Sequence, residues 1–176
     1  VEPSEVAAVA DLIRASERPL VIAGGGVIYS GATEALEHLA EAAGIPVCET
    51  FAGKGAIQSR AWFGLGGIGL EGNPGTNELA RQADLVVTVG SRLTDFATGS
   101  HSLFANPDVR FASINVDARD GDRLGAASIL GDAKLALEAL TEALASHTAP
   151  AAWREQVESA TGAWAPVRAA ALDADT

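Results

Sequence analysis

Methionine is absent from the sequence, and the chain opens "VEPSEVAAVADLI" without a start residue. The expectation is that a leader has been removed or that the sequence is a piece cut from something larger. With one cysteine, Cys48, no internal disulfide can form; its apolar setting suits a small buried residue better than a nucleophile. Basic residues are scarce: 12 Lys and Arg stand against 23 Asp and Glu, a net charge of −11. That balance disfavours nucleic acid and anionic membranes, both of which select for lysine and arginine patches. No apolar run approaches a membrane span and no basic-then-apolar leader is present, so the chain reads as cytoplasmic. Aromatic residues make up only 5% of a chain that is 48% hydrophobic. The core must therefore come from Ala, Val, Leu and Ile, the mix of a parallel sheet covered by helices.

Catalytic constellations are equally sparse. His38, His101 and His147 lie far apart and show no metal-ligand spacing. His101, the loop histidine in "TGSHSLF", reads as a surface or capping residue. No G-x-S-x-G elbow occurs. Asp117, Asp120 and Asp122 in "DARDGD" imitate a cation loop, but Arg119 stands where an EF-hand places Asp or Asn, and the segment reads as a solvated loop.

What is present is an alternation of strands and helices. "SEVAAVADLIRAS" has helical spacing through Val6, Val9, Leu12 and Ile13, with Ser4 as the expected N-cap. "PLVIA" follows as a buried strand. "GATEALEHLAEAAG" is a helix stopped by Gly44, and "IPVCET" is a second strand. Residues 50–72 are a long glycine-rich stretch, of the kind that is usually functional in a compact domain. Beyond it come the helix "GTNELARQA", the strands "DLVVTVG", "RFASINVD" and "ASILG", and the helix "DAKLALEALTEALAS". This order predicts an α/β domain: a doubly wound, Rossmann-like open parallel sheet of about six strands, helices on both faces, in the order 3-2-1-4-5-6. The domain spans residues 1–149, and residues 150–176 form a helical linker. Within it Trp153, Val157, Ala160, Trp164 and Val167 make one apolar stripe, which Gly162 and Pro166 are expected to interrupt. The stripe either packs on this domain or docks onto a neighbour.

The stretch "RPLVIAGGGVIYSGA" runs a strand into Gly24, Gly25 and Gly26 and then into a helix. Glycines there allow close backbone approach to a ligand, and helix amides favour an anion. The triplet is not a full G-x-G-x-x-G, and a tight turn without ligand explains it equally well. Glu49 ends the second strand, where a dinucleotide-binding domain keeps its ribose-binding acid. A stand-alone NAD- or ADP-binding module resting on Gly24, Gly25, Gly26 and Glu49 is therefore one reading. A literal G-x-G-x-x-G at Gly64, Gly66 and Gly69 fails on context: "QSRAWF" before it is a poor strand, and no helix opens directly behind it.

Taken in order, "RPLVIAGGGVIYSGA", "AGIPVCETFAGKGAI", "GGIGLEGN", "ADLVVTVGSRLTDF" and "INVDARD…ILGDAKLALEAL" resemble the central domain of thiamine-diphosphate-dependent enzymes of the acetolactate synthase type. The resemblance covers roughly residues 4–145. Within that superfamily "AGGGVIYSGA", "ETFAGKGA" and "VGSRLTDFATGS" are most similar to the ring-opening C–C hydrolases of inositol catabolism, with acetolactate synthase next. It implies a parent enzyme whose thiamine diphosphate and Mg²⁺ sit between separate pyrimidine- and diphosphate-binding domains, in a homo-oligomer, dimer or tetramer. No catalytic residue and no metal ligand is then expected in this segment. It further implies that a nucleotide, ADP or FAD, would use the backbone at Gly24, Gly25 and Gly26, with Arg92 on phosphate, Asp117 on ribose or adenine, and Asp132 near the adenine. The chain departs from the pattern at Asn115, where relatives read I-D-I-D, and at Ile68, where they place histidine before glycine. Both departures imply a nucleotide held weakly or not at all. Lys54 in "AGKGA" stands in a loop that runs, in relatives, toward the thiamine site; it meets a substrate there or is simply exposed.

Overall fold

The computed structural model describes residues 1–57 and 61–173. Helix α1 spans Pro3–Arg14 and leads into strand β1, Pro19–Ala23. Pro3 at the first helical position fixes the start, so Ser4 lies inside the first turn; Glu2 takes the cap position without a side-chain bond. Helix α2, Gly25–Tyr29, opens directly on the glycine triplet. Helix α3, Thr33–Ala43, buries Leu36, Leu39, Ala40 and Ala43 and ends at Gly44, whose left-handed φ of 66° makes it the expected stop. Strand β2, Val47–Glu49, is followed by a single 3-10 turn at Phe51–Gly53 and by strand β3, Gly64–Gly67. Helix α4, Pro74–Gln82, strand β4, Leu85–Val89, and the one-turn helix α5, Asp95–Thr98, come next. Strand β5, Arg110–Asn115, helix α6, Ala118–Asp122, strand β6, Ala127–Leu130, and helices α7, Ala133–Ala143, and α8, Ala151–Asp173, complete the order.

The six strands form one sheet in the order β3-β2-β1-β4-β5-β6, with every neighbouring pair parallel. This is the predicted doubly wound arrangement. Alternate strand residues feed two cores, as the two-residue period of a strand requires. Val21, Ala23, Val87 and Val89 face α1, α3 and α7, whereas Leu20, Ile22, Cys48 and Val86 face α4 and α8. At the strands' N-terminal ends Asp84 ties the α1–β1 turn to the start of β4. Its carboxylate accepts from the Ser16 hydroxyl and from the amides of Glu17 and Arg18, at 2.8 and 2.9 Å. Burial pushes the Asp84 carboxyl up, but these donors outweigh it and hold it below its ordinary value.

Three elements differ from expectation. β3 lies inside the stretch read as a glycine-rich loop; it pairs with β2, and its Leu65 carbonyl accepts from Asn73 Nδ2 and Thr76 Oγ1, both at 2.8 Å. Residues 58–60, within the "QSRAWF" segment, lie outside the described residues. The "DARDGD" segment is the one-turn helix α6 rather than a loop. Helix α8 runs through both Gly162 and Pro166. The donor that Pro166 lacks would have gone to the carbonyl of Gly162 on an outward-facing turn, where water can replace it. The stripe on α8 divides: Trp153 is 1% exposed, with Nε1 donating to Pro19 O at 2.9 Å, and Val157 is buried beside it. Trp164 is half-buried and Val167 exposed. Residues 174–176 of the linker lie outside the described residues.

Candidate functional site

At the carboxyl ends of the strands, β1 connects to β2 on one side and neighbours β4 on the other. A doubly wound sheet opens a crevice at this reversal of strand order. It is occupied by a cleft of about 510 Å³, walled by Gly24–Gly26 after β1, Thr50–Ala52 after β2, Ile68 after β3 and Gly90–Leu93 after β4.

The glycine triplet has a reason that involves no ligand. A Cβ on Gly24 would lie 2.2 Å from Gly90 O, and one on Gly26 would lie 2.6 Å from Gly90 Cα. Gly90, at φ 58°, would meet Gly26 Cα at 2.5 Å in return. These backbones cross at contact distance, and side chains are excluded. The amides follow the same pattern: Gly24 N donates to Val89 O at 2.8 Å and Gly26 N to Gly90 O at 3.1 Å. Of the three, Gly25 N alone has no backbone carbonyl as partner among the described residues.

Glu49, 4% exposed, holds the loop that forms the next wall. Its Oε1 accepts from Gly55 N at 2.8 Å and Ile57 N at 3.1 Å, and its Oε2 stands 3.6 Å from Lys54 Nζ. Two loop amides therefore occupy the acid on which the NAD reading rested. Lys54 keeps 78% of its side chain exposed while facing Glu49. Across the cleft, Leu93 is buried in a left-handed conformation at φ 44°, and its amide donates to Ser91 Oγ at 3.3 Å. This strained turn carries Arg92, which is exposed and makes no ion pair among the described residues.

Gly24, Gly25, Gly26 and Arg92 are thus brought together in one cleft, while Asp117 and Asp132 do not line it. Asp117, after β5, caps α6 by accepting from Arg119 N at 3.0 Å and pairs with the Arg119 side chain. That guanidinium holds the Asp117 carboxyl down at about 2. Asn115 is engaged locally, with Nδ2 donating to Asp120 Oδ2 at 3.3 Å and Oδ1 accepting from Val116 N at 2.8 Å. Asp132, after β6, caps α7 through Leu135 N at 3.1 Å. Sequence reading missed the rim: Tyr29 is 93%, Phe51 84% and Phe96 66% exposed around the cleft mouth. In a chain so poor in aromatic rings, three of them in the short helical turns that follow β1, β2 and β4 were the available signal.

Among the lining residues the charged side chains are Arg92 and Glu71, and hydroxyls stand at Tyr29, Thr50, Ser91 and Thr94. Burial pushes the Cys48 thiol far above its ordinary range, so it is not a nucleophile. No group of three or more His, Cys, Asp or Glu side chains is placed to hold a metal among the described residues. His101, exposed in a left-handed turn, donates its amide to Thr98 Oγ1 at 3.1 Å. No described helix is long and apolar enough to cross a membrane.

The sheet order and the glycine crossing at β1–β4 define a doubly wound α/β domain, and comparison supplies its class: the family model for the thiamine pyrophosphate enzyme central domain matches residues 6–140. The chain belongs to this family. It is 45% identical over 154 residues to a 3D-(3,5/4)-trihydroxycyclohexane-1,2-dione hydrolase of Clostridium perfringens, covering 88% of this chain and 24% of that protein. Proteins of the same name from Geobacillus thermodenitrificans and Clostridium tetani are 43% identical over 153 residues and 40% identical over 154. These alignments cover 87% and 88% of this chain, and 23% and 24% of those relatives. The chain thus spans about a quarter of the length of the curated relatives it matches.

Proposed function

We propose that this chain is the central, structural domain of a longer thiamine-diphosphate-dependent hydrolase that opens a cyclic 1,2-dione by C–C cleavage. The observation that carries the reading is identity of 40–45% along nearly the whole domain to proteins bearing that hydrolase name. Thiamine diphosphate would supply an electron sink for the breaking C–C bond. The residues here do not fit it: no metal-ligand cluster stands among the described residues, and the sequence has no G-D-G…N-N segment for a metal-bound diphosphate. Cofactor, Mg²⁺ and the reacting carbonyl accordingly belong to pyrimidine- and diphosphate-binding domains elsewhere in a homo-oligomeric parent. The contribution of this chain is to hold those domains in place, with residues 150–176 leading toward the second of them.

In this reading the glycine cleft is a nucleotide site that has lost its use. Two of three glycine amides are bonded to Val89 and Gly90, Asp117 is paired with Arg119, and Asp132 caps a helix. Gly24, Gly25, Gly26 and Arg92 keep the shape of a phosphate site, but flavin is not retained. The test is turnover by the full-length protein with thiamine diphosphate and Mg²⁺. Ring opening of trihydroxycyclohexane-1,2-dione is expected, and condensation of pyruvate to acetolactate in its place would move the chain to the synthase branch.

A further inference from the structure

β3 is the outermost strand on its side of the sheet, and three of its four residues are glycine. Side chains alternate along a strand, so a strand of this composition leaves its surroundings nearly bare. Helix α8 packs on α4 nearby: a Cβ on Gly75 would lie 2.8 Å from Ala160 O. The next turn of α8 stands across a pocket of about 660 Å³ from β3. Gly64, Gly66 and Gly67 line one side of this pocket, and Thr161, Trp164 and Arg168 the other. Glu49, Lys54 and Glu71 also line it. It shares Glu71 alone with the cleft at the glycine triplet.

The charges of the lining balance, with Lys54 and Arg168 against Glu49 and Glu71. Glu49 is the fixed point: its side chain is 5% exposed, and Oε1 accepts from Gly55 N and Ile57 N. Oε2 faces Lys54 Nζ at 3.6 Å, beyond the reach of a hydrogen bond, which ends near about 3.2 Å. A buried carboxylate oxygen is thus left with acceptor capacity, and an ammonium beside it with donors. An anion drawn to Lys54 meets the Glu49 carboxylate, and a cation drawn to Glu49 meets the Lys54 ammonium. A hydroxyl meets no like charge, because it accepts from the one and donates to the other at once. Thr161 Oγ1 donates to Val157 O at 2.9 Å and keeps its lone pairs for a second hydroxyl. Trp164, half-buried, adds an apolar ring against which C–H groups can pack.

We propose that the pocket between β3 and α8 binds an uncharged cyclic polyol, a monosaccharide-like ring with neighbouring hydroxyls, in preference to ionic ligands. One hydroxyl bridges Glu49 Oε2 and Lys54 Nζ, further hydroxyls meet Thr161 and Arg168, and the C–H face of the ring lies on Trp164. The glycines of β3 leave the room that the ring takes up. This assignment rests on the open Glu49–Lys54 pair and the bare strand, not on the ring-opening reading. Failure of ring-opening turnover would leave it standing, and its own failure would leave the family membership intact.

The test is an NMR titration of the ¹⁵N-labelled 176-residue chain with glucose, xylose, cyclohexanol, glycine and sulfate. Saturable millimolar binding of glucose or xylose is expected, with shifts at the amides of Gly64, Gly66, Gly67 and Thr161. Cyclohexanol, a ring of the same size with one hydroxyl, is expected to bind at least about tenfold more weakly. Lys54→Gln weakens the sugar about tenfold, the loss of one charge-assisted contact. Trp164→Ala weakens it in the same direction. The Lys54 side chain is 78% exposed and Trp164 half-buried, so the melting temperature of both variants is expected to hold and to separate lost binding from lost fold. Tighter binding of glycine or sulfate than of either sugar at these amides overturns the proposal. So do equal affinities for sugar and cyclohexanol, sugar affinity unchanged in Lys54→Gln, and shifts confined to Gly24–Gly26. Absence of saturable binding by both sugars overturns it in favour of a pocket that holds water alone.

Discussion

Gly24, Gly25 and Gly26 look alike in the sequence and do different things. Gly24 and Gly26 are glycine because Gly90 leaves no room for a Cβ, whereas Gly25 faces the cleft with its nearest obstruction, Ala52 O, at 3.1 Å. Gly24→Ala is therefore expected to destabilise the domain by about 1–3 kcal/mol, the usual range for overpacking, and Gly25→Ala by less than about 1. Urea unfolding of the two variants checks the ordering; equal losses would show that the crossing with β4 is not what selects glycine. Asp84 gives a pH-dependent counterpart. Its folded-state carboxyl titrates below the ordinary 3.8. The stability it adds is therefore present above that value and is lost as pH falls through the folded-state pKa. Asp84→Ala, which orphans the Ser16, Glu17 and Arg18 donors, is expected to cost about 1 kcal/mol at pH 7. As the pH falls through the folded-state pKa the variant and the parent chain should converge. A gap that persists unchanged across that acid limb would mean that the carboxylate charge is not the source.

At the scale of elements, what was legible in the sequence followed from burial. β1 and β4 are fully buried apolar runs, and α3 carries a period of three and four closed by Gly44; each could be read from its own residues. β3 could not, because "GLGG" has almost no side chains to pattern. It becomes a strand by pairing with β2 and by the Asn73 and Thr76 side chains bonded to Leu65 O. The site was legible in its glycines and Arg92, which share one crevice. The engagement of Asp117 with Arg119, the hold of Glu49 on its loop and the aromatic rim are tertiary facts with no local signature. Helix α8 shows the same division within one element, since its first two turns are anchored and its later ones reach outward. Trp153→Ala is expected to cost about 3–5 kcal/mol, because it empties a fully buried ring site and orphans Pro19 O. Truncation after Thr161 should cost less. Thermal unfolding compares the two, and a truncation more damaging than Trp153→Ala would show that the outer turns of α8 are part of the core.

For the whole molecule, the account is of a framework: a six-stranded parallel sheet, a crevice at the reversal of strand order and, among the described residues, no side-chain cluster placed to hold a metal. The family membership accounts for the sheet, and the close approach of Gly90 accounts for Gly24 and Gly26; that the crevice no longer serves a nucleotide is our proposal. Both statements meet in one experiment, calorimetric titration of the 176-residue chain with thiamine diphosphate plus Mg²⁺ and, separately, with FAD. The account predicts no saturable heat for either up to millimolar concentration and no flavin absorbance in the purified protein. Micromolar binding of thiamine diphosphate, or FAD binding abolished by Asp117→Ala, would contradict it.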